Sequence, residues 1–135
     1  MNSFVSANPY ESINVFTDTW SPFVLPKDKG FGPAQSSVRL IFNEADYDPD
    51  FVYLDYFQVF KLVEEDRIQA AFPYFKTPAR EDKVLYSASL GETENYLYFD
   101  VYHFDEQTPD IESNDLKYGR VIGYSYGENI ESILN

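Results

Sequence analysis

Apolar positions along residues 13–86 follow two periods, the two-residue period of strands and the wider spacing of helices. Short apolar runs predict four strands, at 13–17, 51–54, 68–72 and 84–86. The stretches between them predict three helices, one that opens at Pro33, one over 56–66 and one over 77–83. Because strands and helices alternate in order, we expect an α/β fold with a largely parallel sheet.

Each of the two longer helices has one face that we expect to be buried. The first opens at Gly32 and Pro33, with proline at the favoured first position, and the polar stretch 47–50 breaks it. Its expected core face consists of Val38, Ile41, Phe42 and Ala45. The expected buried side of the second helix consists of Phe57, Phe60, Leu62 and Val63.

Residues 95–104 alternate in a different way from the rest of the chain. One face holds Tyr96, Tyr98, Asp100, Tyr102 and Phe104, and the other holds Leu97, Phe99, Val101 and His103. Since both faces carry apolar side chains, this stretch predicts a long strand that runs between two lobes. Beyond it we expect a short turn or helix at 114–117, a strand at 119–124 and a last helix after the turn at 125–129.

The composition excludes several classes of partner. The 135 residues are 44% hydrophobic and 19% aromatic, which suits one domain with a core and excludes a disordered chain. Twenty-three acidic residues against ten basic ones give a net charge of −13, so nucleic acid and anionic membranes are poor partners. With no cysteine and a single histidine, we expect neither a metal site nor a cofactor. No apolar run approaches the roughly 20 residues of a membrane span.

The stretch 70–81 is where the pattern first indicates binding chemistry. It begins like a buried strand, Pro73 stops the ladder, and Thr77 before Pro78 is typical of a helix start. Arg80 then falls in the first helical turn, where the dipole does not favour a cation. Free N–H groups, a hydroxyl and a guanidinium at one point would receive a carboxylate or a similar anion. The alternative is a strand-to-helix turn with a solvated arginine.

The order of the elements, together with local motifs, resembles the type II periplasmic substrate-binding proteins of the polar amino-acid uptake class. The matching stretches are 17–23 (TDTWSPF), 56–69, 77–87 (TPAR with YS) and 114–127 (NDLKYGRVIG and a later Gly). The resemblance spans residues 13–135 and implies a two-lobed, hinged binder with a first lobe of mostly parallel sheet. Its implied parts are a tail at 1–11, the first lobe with its hinge strand at 12–104, and the beginning of the second lobe at 105–135. The tail is either a signal-peptide remnant or a frayed end. Because the family's proteins are longer, we expect the chain to be truncated inside the second lobe.

The resemblance also implies roles for particular side chains. Arg80 would hold a ligand's α-carboxylate through a bidentate pair, with Trp20 stacked over the ligand and Tyr56 as the other wall. Backbone N–H groups at 127–128 would reach the ligand from the second lobe. The complete expected ligand-binding set is Trp20, Tyr56, Phe72, Tyr74, Phe75, Thr77, Arg80, Gly127 and Glu128. The alternative for Trp20 and Tyr56 is a place in the core.

Some positions depart from the family's pattern and leave the identity of the ligand open. The family's serine-rich ligand strand is here the stretch 72–75, FPYF. Gln69 stands where an aspartate is usual, and Glu128 stands where a small hydroxyl residue is usual. A glutamate at that point would repel an anionic ligand unless its side chain points away.

The function that the resemblance implies is a periplasmic, or otherwise extracytoplasmic, solute-binding protein. It would capture an amino acid or another small carboxylate for an ABC importer, with the permease as the partner of the full-length protein. The alternatives are a sensor domain of a signalling protein and, less favoured, a binding-protein-like enzyme. We expect no enzyme, because Glu81 and Asp82 are adjacent on a helix and cannot both face one site beside Arg80. A strand at 95–104 would have an unpaired edge, which favours a homodimer through that edge.

Overall fold

The computed structural model describes residues 10–104, 108–111, 113 and 115–134. The chain divides into two units, Met1–Leu90 and Gly91–Asn135. The elements of the first unit are β1 (Glu11–Thr17), a 3₁₀ turn (Lys27–Lys29), α1 (Pro33–Glu44), β2 (Tyr47–Tyr53), α2 (Tyr56–Glu64) and α3 (Pro78–Glu81). The second unit contains α4 (Glu128–Leu134). Across the described ranges, no helix has the length and apolar character that crossing a membrane requires.

The first unit is built on a small parallel sheet. β1 and β2 pair in parallel from Glu11 opposite Tyr47 to Thr17 opposite Tyr53. On the other side of β1, Phe16 forms a parallel bridge with Ala71, through Phe16 N–H to the Ala70 carbonyl and Phe72 N–H to the Phe16 carbonyl, each 2.9 Å. β1 therefore lies between β2 and this segment, and the fold is a mixed α/β one.

The sheet is smaller than the sequence pattern predicted. Residues 68–72 contribute one bridge rather than a strand, because Pro73 follows at once and has no N–H to extend the ladder. Residues 84–86 form no strand, and the Leu85 side chain is fully exposed. The first helix ends before 47–50 as predicted, but the next strand begins earlier than the predicted residue 51, since β2 includes 47–50. Pro49 is tolerated there because β2 lies at the edge of the sheet, where a missing N–H costs little.

The core of the first unit lies between the sheet and the helices. Its buried cluster consists of Val15, Val24, Val38, Phe51 and Phe72. Two predicted helix faces are rotated relative to expectation. On α1, Gln35 is buried with Val38, whereas Ile41 is 55% exposed; on α2, Val59 is buried and Phe57 is exposed.

Gln35 explains the rotation of α1, because its side chain satisfies backbone groups that the preceding loop brings into the core. Its Oε1 accepts hydrogen bonds from the N–H groups of Leu25 and Gly32, each 2.8 Å. Its Nε2 donates to the Tyr53 hydroxyl at 2.6 Å, and that hydroxyl donates to the Leu25 carbonyl at 2.8 Å. A buried amide that meets these partners is compatible with a packed core.

The second unit does not contain the strands that the pattern predicted. Residues 95–104 are irregular and end in a turn, and residues 119–124 also turn rather than extend. The alternation at 95–104 therefore does not mark a strand, and Tyr98 and Tyr102 are more than 90% exposed. The predicted helix after the turn at 125–129 is present as α4. Of the predicted turn at 114–117, Asn114 lies outside the described residues. The expected lobe boundary at 104 stays a prediction.

Candidate functional site

Three chain segments leave the sheet at the same edge, and the candidate site lies there. β1, β2 and the segment at Ala71 run in parallel, so the residues after them meet at their carboxyl ends. This is the edge where open α/β sheets bind ligands. The residues that follow these segments are Asp18, Tyr56 and Tyr74.

Hydrogen bonds join these three residues in a chain. The Tyr56 hydroxyl donates to the Asp18 carbonyl at 3.3 Å, and the Tyr74 hydroxyl donates to the Tyr56 carbonyl at 2.8 Å. The rings of Tyr56 and Tyr74 meet edge to face, with centroids 5.5 Å apart. Asp55 fixes the start of α2, because its carboxylate accepts the Gln58 N–H at 2.8 Å. Tyr56 and Tyr74 therefore lie together at this edge, and the ligand contacts expected of them stay a prediction.

Arg80 packs against this aromatic pair from α3. Its guanidinium carbon lies 5.2 Å from the Phe60 ring centroid and 5.5 Å from that of Tyr74, within the range of a cation–π contact. Its Nη1 donates to the Phe75 carbonyl at 3.1 Å, and the Tyr86 hydroxyl donates to the same carbonyl at 3.2 Å. We name the side chains of Tyr56, Phe60, Tyr74, Arg80 and Tyr86 the Arg80 cluster.

Burial and the Arg80 charge have opposite effects on the pKa values of Tyr74 and Tyr86. Burial is the main cause that raises the pKa of Tyr74, and the neighbouring Tyr56, Asp18 and Asp55 raise it further. The Arg80 guanidinium works against that rise. Burial also raises the pKa of Tyr86, again opposed by Arg80. Tyr74 therefore stays neutral at ordinary pH and keeps its proton for the Tyr56 carbonyl.

The helix start before Arg80 lies where the sequence pattern predicted it, but the Thr77 hydroxyl does not cap the helix. Thr77 is the N-cap residue of α3 and Pro78 follows at the first position, yet the Thr77 side chain makes no capping bond. The turn is held by the Thr77 carbonyl, which accepts from Arg80 and Glu81 N–H groups at 2.9 and 3.0 Å. Lys76 and Glu81 form an ion pair of 2.7 Å beside it, and the hydrogen bond to Glu81 raises the pKa of Lys76.

The structure places the remaining first-unit candidates differently. Trp20 packs partly buried against the core, and its ring lies 4.7 Å from that of Phe23. Phe72 is a core residue, 5% exposed, with its ring 5.4 Å from Phe51. Phe75 takes part through its carbonyl, as described above, while its side chain is 38% exposed. One groove lined by Trp20 and Arg80 together stays a prediction.

Gly127 and Glu128 lie in the second unit, at the start of α4. The Glu131 carboxylate lies at this start, accepting the Tyr126 N–H at 3.1 Å and pairing with Arg120 at 3.3 Å. A carboxylate already placed there disfavours a second anion at the same point. The ligand contact expected of Gly127 and Glu128 stays a prediction.

Two members of the cluster were missed as site residues. Phe60 was assigned to the buried side of α2, although its spacing of four residues from Tyr56 puts the two on one helix face. That spacing was the available signal. Tyr86 falls in the matching stretch 77–87, but its place beside Arg80 could not be read from that motif, because only the fold of residues 75–86 brings its hydroxyl to the Phe75 carbonyl.

Among the described residues, two other concave surfaces are lined by residues outside the Arg80 cluster. One, of about 250 Å³, lies along α2 and is lined by Gln58, Lys61, Leu62, Glu65 and Arg67. Another, of about 190 Å³, lies in the second unit beside residues that include Leu97, Phe99 and Tyr118. In the part of the chain that the structure describes, no group of three or more acidic, histidine or cysteine side chains could hold a metal ion.

Comparison with known proteins adds no relative to this picture. No protein-family model matches the chain, and neither a curated protein nor a solved structure matches it. The candidate site therefore depends on the geometry of the Arg80 cluster and on the sequence resemblance.

Proposed function

We propose that this chain belongs to an extracytoplasmic solute-binding protein that captures a small carboxylate, such as an amino acid, for an ABC importer. The observation that carries the proposal is the Arg80 guanidinium, held over the Phe60 and Tyr74 rings at the carboxyl edge of the sheet. The guanidinium also donates to a backbone carbonyl. These contacts hold its charge in place at this edge of the sheet, where it would attract an anion.

The chemistry of arginine supports a carboxylate as the ligand group. A guanidinium is planar and always charged, and its fork of N–H donors matches the two oxygens of a carboxylate. The position in the helix adds nothing to this argument, because α3 is a single turn and Arg80 lies in its last turn, where the dipole favours a cation.

The transport part of the proposal depends on the sequence order and on the edge at which the cluster lies. The segments that precede Asp18, Tyr56 and Tyr74 all end at one edge, as in other open α/β sheets that bind ligands there. Genes for a permease and an ATPase beside the gene of this chain would support uptake. A kinase or cyclase domain encoded in the same reading frame would instead favour the sensor alternative.

Ligand binding is tested by a thermal-shift screen of the twenty standard amino acids, followed by calorimetry on wild type and Arg80→Lys. Lysine keeps the charge but lacks the planar fork, so we expect a loss of about 1.5–3 kcal/mol, the scale of one charge-assisted hydrogen bond. Arg39→Lys is the matched control, because Arg39 also lies over a ring, 5.2 Å from Phe31, and pairs with Asp48. An unchanged dissociation constant in Arg80→Lys would make Arg80 structural and overturn the proposal.

A further inference from the structure

We infer that Phe60 is a positioning residue, which orients the Arg80 guanidinium so that its N–H edge meets a carboxylate. The inference deepens the proposed function and rests on it, since it concerns the same carboxylate site. Phe60 would act through Arg80, without touching the ligand itself.

The geometry of three groups carries the inference. The Phe60 and Tyr74 ring centroids lie 5.8 Å apart with their planes inclined by 47°. The guanidinium carbon lies 5.2 Å from one centroid and 5.5 Å from the other, so the three centres form a nearly equilateral triangle. The cation therefore lies in the angle between two tilted rings, where both aromatic faces attract it.

The Phe60 ring forms one fixed side of that angle, because α2 is anchored at two points. Val59, the preceding residue, is fully buried, and Asp55 caps the helix start through the Gln58 N–H. On the same helix face, one turn further along, Glu64 pairs with Lys83 at 2.8 Å. The face that Phe60 shares with Glu64 thus runs along both Arg80 and Lys83.

Orientation matters because a guanidinium recognises a carboxylate only within its own plane. Contact with two rings limits the directions in which the N–H groups point, and the bond from Nη1 to the Phe75 carbonyl limits them further. Without the Phe60 ring, Arg80 keeps its charge but loses one side of the angle, so its guanidinium is no longer held against the Tyr74 ring in one orientation. We therefore expect weaker binding without a loss of attraction at long range.

The test compares four variants of the full chain: Phe60→Leu, Phe60→Met, Phe60→Tyr and Phe57→Leu. Leucine and methionine keep an apolar side chain without a ring, tyrosine restores the ring, and Phe57 is an exposed phenylalanine on the same helix. Each of the twenty standard L-amino acids serves as a probe in a thermal-shift screen, and the one with the largest shift is used for calorimetry. The orientation of Arg80 is measured separately, by the NMR cross-peak between its δ protons and the Tyr74 ring.

The inference predicts that Phe60→Leu and Phe60→Met lose the cross-peak and bind about tenfold more weakly, the scale of one cation–π contact. Phe60→Tyr and Phe57→Leu should keep both the cross-peak and the affinity of wild type. If Phe60→Leu fails to fold, Phe60→Met provides the same test. If the cross-peak or the affinity survives in the ringless variants, the inference is overturned while the proposed function stands. If no amino acid binds, or Arg80→Lys binds as wild type does, the proposed function fails and the inference fails with it.

Discussion

The two units of this chain have similar kinds of residue but very different packing. In the first unit, five apolar side chains form a buried cluster around β1. In the second, which is also rich in tyrosine and phenylalanine, no described residue is fully buried, and Tyr96, Tyr98 and Tyr102 are 65% exposed or more. Aromatic content therefore did not decide where a core formed.

The difference lies in the backbone partners that each unit offers. β1 has a neighbour on each side, so its alternate side chains have a surface to pack against. Residues 95–104 alternate just as regularly, but no described segment pairs with them, and an apolar face without a partner has nothing to cover it. Alternation in a sequence thus predicts a strand only where a second strand is available.

The contrast between the two units is tested first by Gly32→Ala, which should lower the free energy of unfolding most. A Cβ at Gly32 would lie 2.3 Å from the Phe23 carbonyl oxygen, which is backbone and cannot swing away. We expect a loss of at least about 1–3 kcal/mol, the usual cost of overpacking. Gly91→Ala is the control, because nothing lies within 4 Å of its added Cβ. Chemical denaturation measures the stability of both variants. Equal stabilities would contradict the packing described for the start of α1.

A loss of stability of comparable size is expected from Gln35→Ala. Removing the amide leaves the N–H groups of Leu25 and Gly32 without their buried acceptor, at roughly 1–3 kcal/mol for an unsatisfied group. Gln58→Ala, at an exposed position of α2, should change the free energy of unfolding by less than about 0.5 kcal/mol. Similar midpoints for the two variants would show that the Gln35 network does not stabilise the first unit.

Tyr74→Phe should show a pH-dependent effect. Below pH 10 the variant loses the bond to the Tyr56 carbonyl, worth about 0.5–1.5 kcal/mol. Because the pKa of Tyr74 is raised in the folded chain, its neutral form stabilises the fold below the unfolded value near 10, and this contribution is lost as pH rises through the folded pKa. The free energies of unfolding of wild type and Tyr74→Phe, measured from pH 8 to 11, should therefore converge as the pH rises. Curves that stay parallel would mean that Tyr74 is not shielded from water.

The smallest change in the free energy of unfolding is expected from a substitution in the second unit. Tyr102 is 93% exposed, so Tyr102→Ser should change the free energy of unfolding by no more than about 0.5 kcal/mol. A loss above 1 kcal/mol in the same denaturation experiment would place its ring in a core and remove the contrast between the units.

The sequence allowed part of this structure to be predicted. Pro33 and the capping residue Asp55 mark helix starts by local rules, and both starts lie where the pattern put them. Which face of α1 is buried could not be read, because Gln35 is polar and counts as a surface residue until its partners in the loop are known. Strands were also predicted at 84–86 and 95–104 and are absent. Their formation depends on pairing with residues far away in the chain, which local alternation does not reveal.

The candidate site was predictable in a similar measure. Arg80 and Thr77 follow from a strand, a proline and a helix start, all of which are local signals. Tyr74 and Tyr56 meet because three parallel segments end at one edge, which follows from the fold class. The pairing of Phe60 with Arg80 needs the path of residues 74–83 along α2, and no short motif encodes that path.

The central claim, that the core and the Arg80 cluster belong to the first unit, is tested most directly by hydrogen exchange on the full chain. We expect strong protection of amides that donate within that unit, such as those of Phe16, Val59 and Phe72. Peptides covering 91–104 and 117–126 should exchange nearly as fast as an unfolded chain. Equal protection of both sets would show a core that extends through the second unit, and would contradict the account.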